Sequence, residues 1–210
     1  MKKNLAKLLI LGISIIVLTE IANKVLNIRG LIYNSLGEQL TNKEIVKIFE
    51  FQDKWQFVGY AIVPVMMFLK TSLIASALYM GTFFFSKIAV TFKQLWGVVL
   101  NAEFVFLVVP VFKMSWFYFI QTNYNLDDIK YFFPFSALTI TGYKGLEPWL
   151  IYPFQVINLF ELAYWLILSF FIGKITKTNT DRGLKIVASS YGSALLLWVV
   201  VIMFFTLNYS

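Results

Sequence analysis

Four ionisable residues, Glu20, Lys70, Glu103 and Glu161, stand inside long apolar runs of this chain. A charge held at the middle of a membrane helix costs roughly 2.5–3.5 kcal/mol on insertion scales. Each of the four is therefore expected to face protein or water and to have a partner. Residues so placed can pass protons or ions, or line a polar cavity for a substrate. They can equally form a buried network that fixes helix register. With one lysine among three acids and no histidine, the structural network is the stronger reading.

The rest of the chemical inventory is thin. There is no cysteine and no histidine, which excludes disulfide frameworks, thiol catalysis and Cys/His zinc sites. It also removes the commonest general base. There is no close acid pair of the prenyltransferase type, no Glu-Glu motif of the CAAX-protease type and no histidine for a rhomboid-type dyad. No catalytic residue, metal ligand or cofactor is assigned, and the chain reads as a non-enzyme.

The elements that must position the four charges are membrane helices. The chain is 59% hydrophobic and 14% charged, with mean hydropathy +0.73, against about 45–50% apolar and 25% charged in soluble domains. Runs of about 20 apolar residues match a hydrocarbon core of about 30 Å. Inside lipid their backbone groups must pair within the segment, so the runs are helices. The expected architecture is all-α, a single polytopic bundle with spans at about 6–27, 57–84, 95–118, 154–173 and 184–205. The first, with Lys2, Lys3 and Lys7 ahead of it, resembles a signal peptide. Ile21-Ala22-Asn23 lacks the small-x-small cleavage pattern, so it reads as a retained span.

Thr41-Asn42-Lys43-Glu44 has the spacing of a capping box and predicts a helix start. Over residues 41–55 apolar side chains including Trp55 share one face. The helix either lies on the membrane surface or extends the second span into water, and both readings stay open. Pro64 predicts a kink in that span. Residues 121–152 form an aromatic outer loop with Phe133, Tyr143 and Trp149, expected to be ordered at the headgroup level. Ser72/Ser76, Ala77/Gly81 and Ala188/Gly192 have the small-residue spacing of close helix packing.

Lysine and arginine in short segments set orientation. With the N-terminus inside, the inner side gathers Lys2, Lys3, Lys7, Lys87, Lys93, Lys174, Lys177, Arg182 and Lys185 against Asp181 alone. The outer side mixes cations, among them Lys113, with acids such as Glu38. An inside N-terminus and outside C-terminus follow. The net charge of +7 is then orientation and lipid contact, with no nucleic acid as partner. The second and third spans are antiparallel about Ser86-Lys87, and Lys70 and Glu103 each lie 16 residues from that point. They stand at one depth, which predicts an ion pair. Glu20 is placed to pair with Lys24 one turn on. Glu161, with no sequence-local partner, shares Lys70 or is protonated.

Three stretches resemble the Yip family, five-span membrane proteins with a Ypt/Rab-interacting-protein domain and numerous bacterial relatives. They are Thr91-Phe92-Lys93-Gln94 with Pro110; Asn158-Leu159-Phe160-Glu161 with Tyr164-Trp165 and Gly173; and Asp181-Arg182-Gly183 leading into Leu184-Lys185-Ile186-Val187. They lie in the C-terminal 60% or so of the chain. The resemblance implies five spans, a cytosolic N-terminus, a short outer C-terminus and a multi-pass protein of a bacterial inner membrane. It also implies a scaffold or partner-binding role. The leading function is accordingly a non-enzymatic scaffold or accessory subunit binding another membrane protein. Partner and lipid contacts are expected at Trp55, Phe133, Tyr143, Trp149 and the basic turn Lys174, Lys177, Arg182, Lys185, with a homo-oligomer as a lesser option. The alternative is a small transporter or lipid-handling protein that uses the Lys70/Glu103/Glu161 cluster.

Overall fold

The computed structural model describes residues 2–37, 39–85 and 88–209. Ser86, Lys87 and Glu38, used in the charge and depth reckoning above, lie outside the described residues. Those described form helices, with no strand beyond an isolated bridge between Ser136 and Asn158. In chain order they are α1 (Lys2–Val25), α2 (Ile28–Gly37), α3 (Asn42–Phe85), α4 (Phe92–Glu103), α5 (Val108–Phe119), α6 (Leu126–Tyr131), α7 (Ala137–Thr141), α8 (Pro148–Val156), α9 (Leu159–Ile175), α10 (Thr180–Val187) and α11 (Ser193–Tyr209). A 3-10 turn, Phe104–Leu107, joins α4 to α5, and a π-helical turn, Ala188–Gly192, joins α10 to α11.

Four rods are long and apolar enough to cross a membrane: Lys2–Val25, Asn42–Phe85, Phe92–Phe119 and Thr180–Tyr209. The run expected as one span at 154–173 is two helices instead. α8 ends at Val156, Ile157 leaves the helical conformation, Asn158 is extended, and α9 begins at Leu159. The Asn158 side chain marks the break, and a backbone bridge to Phe135 and Ala137 holds it. Asn158 Nδ2 donates to the carbonyls of Gln155 and Val156 at 2.8 and 3.0 Å, and Asn158 Oδ1 accepts from the Glu161 N–H at 2.8 Å. A single asparagine thus closes the end of one helix and caps the start of the next. The remaining α9 has 17 residues, about 26 Å at ~1.5 Å per residue.

Between the two readings of residues 41–55, the structure has one helix. α3 runs unbroken for 44 residues, about 66 Å, more than twice a ~30 Å core. Thr41 opens it, its N–H and hydroxyl both bonded to the Glu44 carboxylate at 2.9 and 2.7 Å. Pro64 leaves the helix continuous. The projecting arm is braced by α2, where Arg29 makes a paired contact with Asp53 at 3.0 and 3.2 Å and lies over the Phe49 ring at 4.6 Å.

α4 sits at the centre. Leu95, Val99, Leu100 and Ala102 are fully buried, and α1, α3 and α9 pack around it. α11 buries none of its residues; it is an outer rod whose apolar surface suits lipid. Pro110 stands in α5 one turn after Phe106. It offers no N–H to the Phe106 carbonyl, and the 3-10 turn lies in the turn just before it. Lys113, reckoned above with the outer segments, lies within α5 and is half-buried.

Small residues mark where rods touch. A Cβ on Gly81 would lie 2.6 Å from Ser190, and one on Gly192 2.6 Å from the Trp165 ring. Ser76, by contrast, is exposed and bonds back to the Ser72 carbonyl of its own helix at 2.9 Å. The tightest approach is at Gly183, where a Cβ would fall 2.0 Å from the Ser169 carbonyl oxygen. Backbone cannot move aside as a side chain can. Gly183→Ala is therefore expected to destabilise the protein by about 1–3 kcal/mol or more. Gly59→Ala, with nothing within 4 Å, is expected to be neutral or to add up to about 1 kcal/mol. Thermal unfolding in detergent compares them; equal midpoints for the two variants would refute the α9–α10 contact.

Candidate functional site

Lys70 and Glu103 meet in the centre of the bundle, Nζ to Oε2 2.8 Å. Glu103 ends α4 just before the 3-10 turn and its side chain is 4% exposed, whereas that of Lys70 is 52% exposed. The other carboxylate oxygen, Oε1, accepts from the Tyr164 hydroxyl of α9 at 3.2 Å. Lys70 Nζ also lies 4.8 Å from the centre of the Phe106 ring, a cation–π contact. The carboxylate is thus held from α3 and α9, and the ammonium has an acid and a ring for company.

Glu161 takes its hydrogen bonds from neutral donors. Its Oε1 accepts from the Trp165 indole at 2.9 Å and from the Tyr191 hydroxyl at 2.7 Å. This corrects the expectation that no sequence-local partner exists: Trp165 is one turn on. Tyr191 stands in the π-helical turn. Its ring meets Tyr164 edge-on at 5.5 Å and Trp165 at 6.0 Å. Lys70, Glu103, Tyr164, Tyr191, Glu161 and Trp165 therefore form one contiguous cluster across α3, α4, α9 and the α10–α11 rod.

Glu20 lies apart from them. It accepts from Tyr60 at 2.8 Å and Gln56 at 3.4 Å on α3. Among the described residues no Glu20–Lys24 ion pair forms, which corrects the local pairing expected above. The tyrosine reaches the carboxylate across the helix interface, where Lys24 would have left α1 and α3 unconnected.

A cleft of about 410 Å³ opens beside the ion pair. Ile15 and Leu18 of α1, Met66 and Met67 of α3, and Phe106 and Leu107 wall it, and its polar groups are Lys70, Glu103 and the Thr19 hydroxyl. Its size falls within the ~300–1,000 Å³ usual for small-molecule sites, as does its makeup of apolar walls with few polar groups.

Family models, curated proteins and solved structures give no match to this chain. The geometry alone carries the functional reading.

The expected contact residues do not converge on the cleft. Tyr143 belongs to the aromatic loop 121–152, where its hydroxyl donates to Asp128 at 2.9 Å and its ring stacks on Tyr131 at 4.8 Å. Burial and that hydrogen bond raise its phenol above the ordinary range. Phe133 and Trp149 are half-buried in the same region, built on α6, α7 and α8. Trp55 is 51% exposed on the arm of α3. Lys174 in the last turn of α9, Lys177 on the connection, and Arg182 and Lys185 in α10 are all exposed.

Tyr60, Gln56 and Tyr191 escaped the sequence reading, and Tyr164 and Trp165 entered it only through the family resemblance, not as partners of the acids. All but Gln56 are aromatic residues with a polar tip inside apolar runs, and such tips need partners when buried. Asn158-x-x-Glu161 also has the capping spacing recognised at Thr41.

Contact between Lys70 and Glu103 predicts coupling. Lys70→Met and Glu103→Gln are each expected to lower stability, and the double variant to recover part of it, with a coupling energy of about 0.5–3 kcal/mol. Tyr164→Phe is expected to couple to Glu103→Gln and not to Glu20→Gln. Thermal or denaturant unfolding of purified variants in detergent measures the cycle, and purely additive losses would refute the pair.

Proposed function

We propose that this protein is a lipid-handling membrane protein, taking a long-chain ligand from the bilayer into the cleft between α1, α3 and α5. One observation carries the reading: an apolar cleft about 410 Å³ in volume ends on a half-exposed lysine paired with a buried glutamate. A register-fixing network has no need of an open approach. Glu161 shows the alternative, a carboxylate whose Oε1 accepts from two neutral donors. At Lys70 an ammonium faces accessible space instead. A partner-binding scaffold accounts for less of this, since the cleft lies within the rods and away from the arm and loops.

The scaffold reading has its own support in the α3 arm. Phe51, Trp55 and Phe57 are 64%, 51% and 78% exposed there, and exposed apolar surface beyond a bundle can mark a partner contact. Purification in mild detergent separates the two. A chain carrying bound lipid by native mass spectrometry, lost when Leu18→Trp fills the cleft, is expected. A stoichiometric protein partner with no retained lipid would refute the lipid reading and support the scaffold.

We further propose five crossings of a bacterial inner membrane, with α9 the short one, an inside N-terminus and an outside C-terminus. Ring contacts of Phe160 with Phe112 and Phe135 support starting α9 at the end of the bundle where α5 finishes. Asn4 bonded to the Lys93 carbonyl at 3.0 Å and Gly81 against Ser190 support gathering the basic segments at the other end. Reporter fusions at Lys7, Asn179 and Ser210 test this. The first two are expected inside and the third outside; Asn179 and Ser210 on one side would sink it.

A further inference from the structure

We infer that the ligand of the cleft is a lipid with an uncharged carbonyl, whose oxygen accepts a hydrogen bond from the Lys70 ammonium. The inference rests on reading the cleft as a lipid site and adds the chemical class of its head. It starts from what each member of the ion pair has left to offer. Glu103 has little: Oε2 faces Lys70 at 2.8 Å, Oε1 faces Tyr164 at 3.2 Å, and the side chain is 4% exposed. Lys70 has more. An ammonium carries three N–H donors. One goes to Glu103, and the Phe106 ring, 4.8 Å away, covers another direction. Among the described residues no other oxygen accepts from it, and the side chain is 52% exposed at the polar end of the cleft. What the ion pair presents to the cleft is one N–H donor, with the Thr19 hydroxyl of α1 on the same lining.

Depth makes that donor demanding. Glu103 lies 11 residues into the rod that begins at Phe92 (103 − 92), about 16 Å along it at ~1.5 Å per residue. Water is scarce there, and a donor without an acceptor is costly. Charge then selects among acceptors. Glu103 already neutralises Lys70, so a carboxylate or phosphate head would bring a net negative charge into a low-dielectric site. A cationic head would meet the ammonium directly. An ester, ketone or quinone carbonyl fills the donor's need and adds no charge. Such a head also reaches mid-bilayer without the penalty an ion meets. Met66, Met67 and Phe106 give the attached chain an apolar, adaptable wall.

Three photoactivatable probes of one chain length test the assignment on the full-length protein in nanodiscs: a fatty-acid methyl ester, the free carboxylate above pH 8, and the alkane. Cross-links are mapped to peptides of α1, α3 and α5. The ester is expected to label cleft peptides about tenfold more than either of the others, the discrimination one hydrogen bond in an apolar site can supply. Two double variants keep the site neutral, so neither strands a charge. Lys70→Gln/Glu103→Gln retains a donor and is expected to keep ester labelling within about threefold, whereas Lys70→Met/Glu103→Gln is expected to lose about tenfold. Competition by diacylglycerol or by an isoprenoid quinone supports the assignment and tells which source supplies the carbonyl. Equal labelling by ester and carboxylate, or equal losses in the two variants, overturns the carbonyl assignment and leaves the cleft a lipid site. No labelling of cleft peptides by any probe overturns the lipid reading itself.

Discussion

A carboxylate buried at the centre of an apolar bundle sets the terms for everything around it. Glu103 cannot be left to lipid, and each group that satisfies it belongs to a different rod. Lys70 brings α3 to it and Tyr164 brings α9. Hydrophobic association between helices is weak inside a membrane, because lipid tails are as apolar as leucine. Directional polar contacts and close packing are what remain to choose one arrangement from many. The fully buried α4 residues Leu95, Val99, Leu100 and Ala102 supply the packing, and Glu103 at the end of that helix supplies the direction. The backbone is also least regular there, passing at once into a 3-10 turn.

The same logic recurs with different chemistry at the other acids. Glu161 and Glu20 are met by phenols, an indole and an amide in place of cations. Neutral donors bring no second charge to desolvate, whereas a buried ion pair must offset two desolvation penalties. Tyr191 reaches Glu161 from a π-helical turn, a rare form that shifts side chains round the helix and often accompanies function. The asparagine that breaks the run before α9 belongs to this scheme as well. It starts the helix so that Glu161 falls in the first turn, where the positive end of the helix dipole favours an acid.

The class of the fold and the depth of its charges were legible in the residues because both depend on one coordinate, distance along a helix axis. Apolar length marked the four long rods, and counting outward from one turn put Lys70 and Glu103 at one level. Rotation and partner choice need the second coordinate, which helix faces which, and one chain read alone does not hold it. That is why Glu20 was matched to Lys24 on its own helix when Tyr60 lay across the interface. The break at Asn158 is a different case. Its capping spacing was present, but an apolar run on both sides outweighed one polar residue in a reading based on hydropathy. Glycine contacts divide the same way: the spacing of Gly81 and Gly192 marked them as close-packing residues, and nothing local showed that Gly183 lies against a carbonyl.

Among the described residues, the three intramembrane acids are met in two ways, and the difference locates the site. Where neutral donors do the work, at Glu20 and Glu161, both donors act on Oε1 of the carboxylate and no ammonium stands there to offer further N–H groups. Where a cation does, at Glu103, the match is one acceptor site against three N–H donors, so the pair neutralises charge but leaves hydrogen-bonding capacity over. That surplus sits on the more exposed partner, beside a cleft with apolar walls. A purely structural pair would be expected to bury both heads and close over them, since an ion pair half open to hydrocarbon gains neither full solvation nor full enclosure. An open cleft with a neutral but unsaturated end is the arrangement that binding would require.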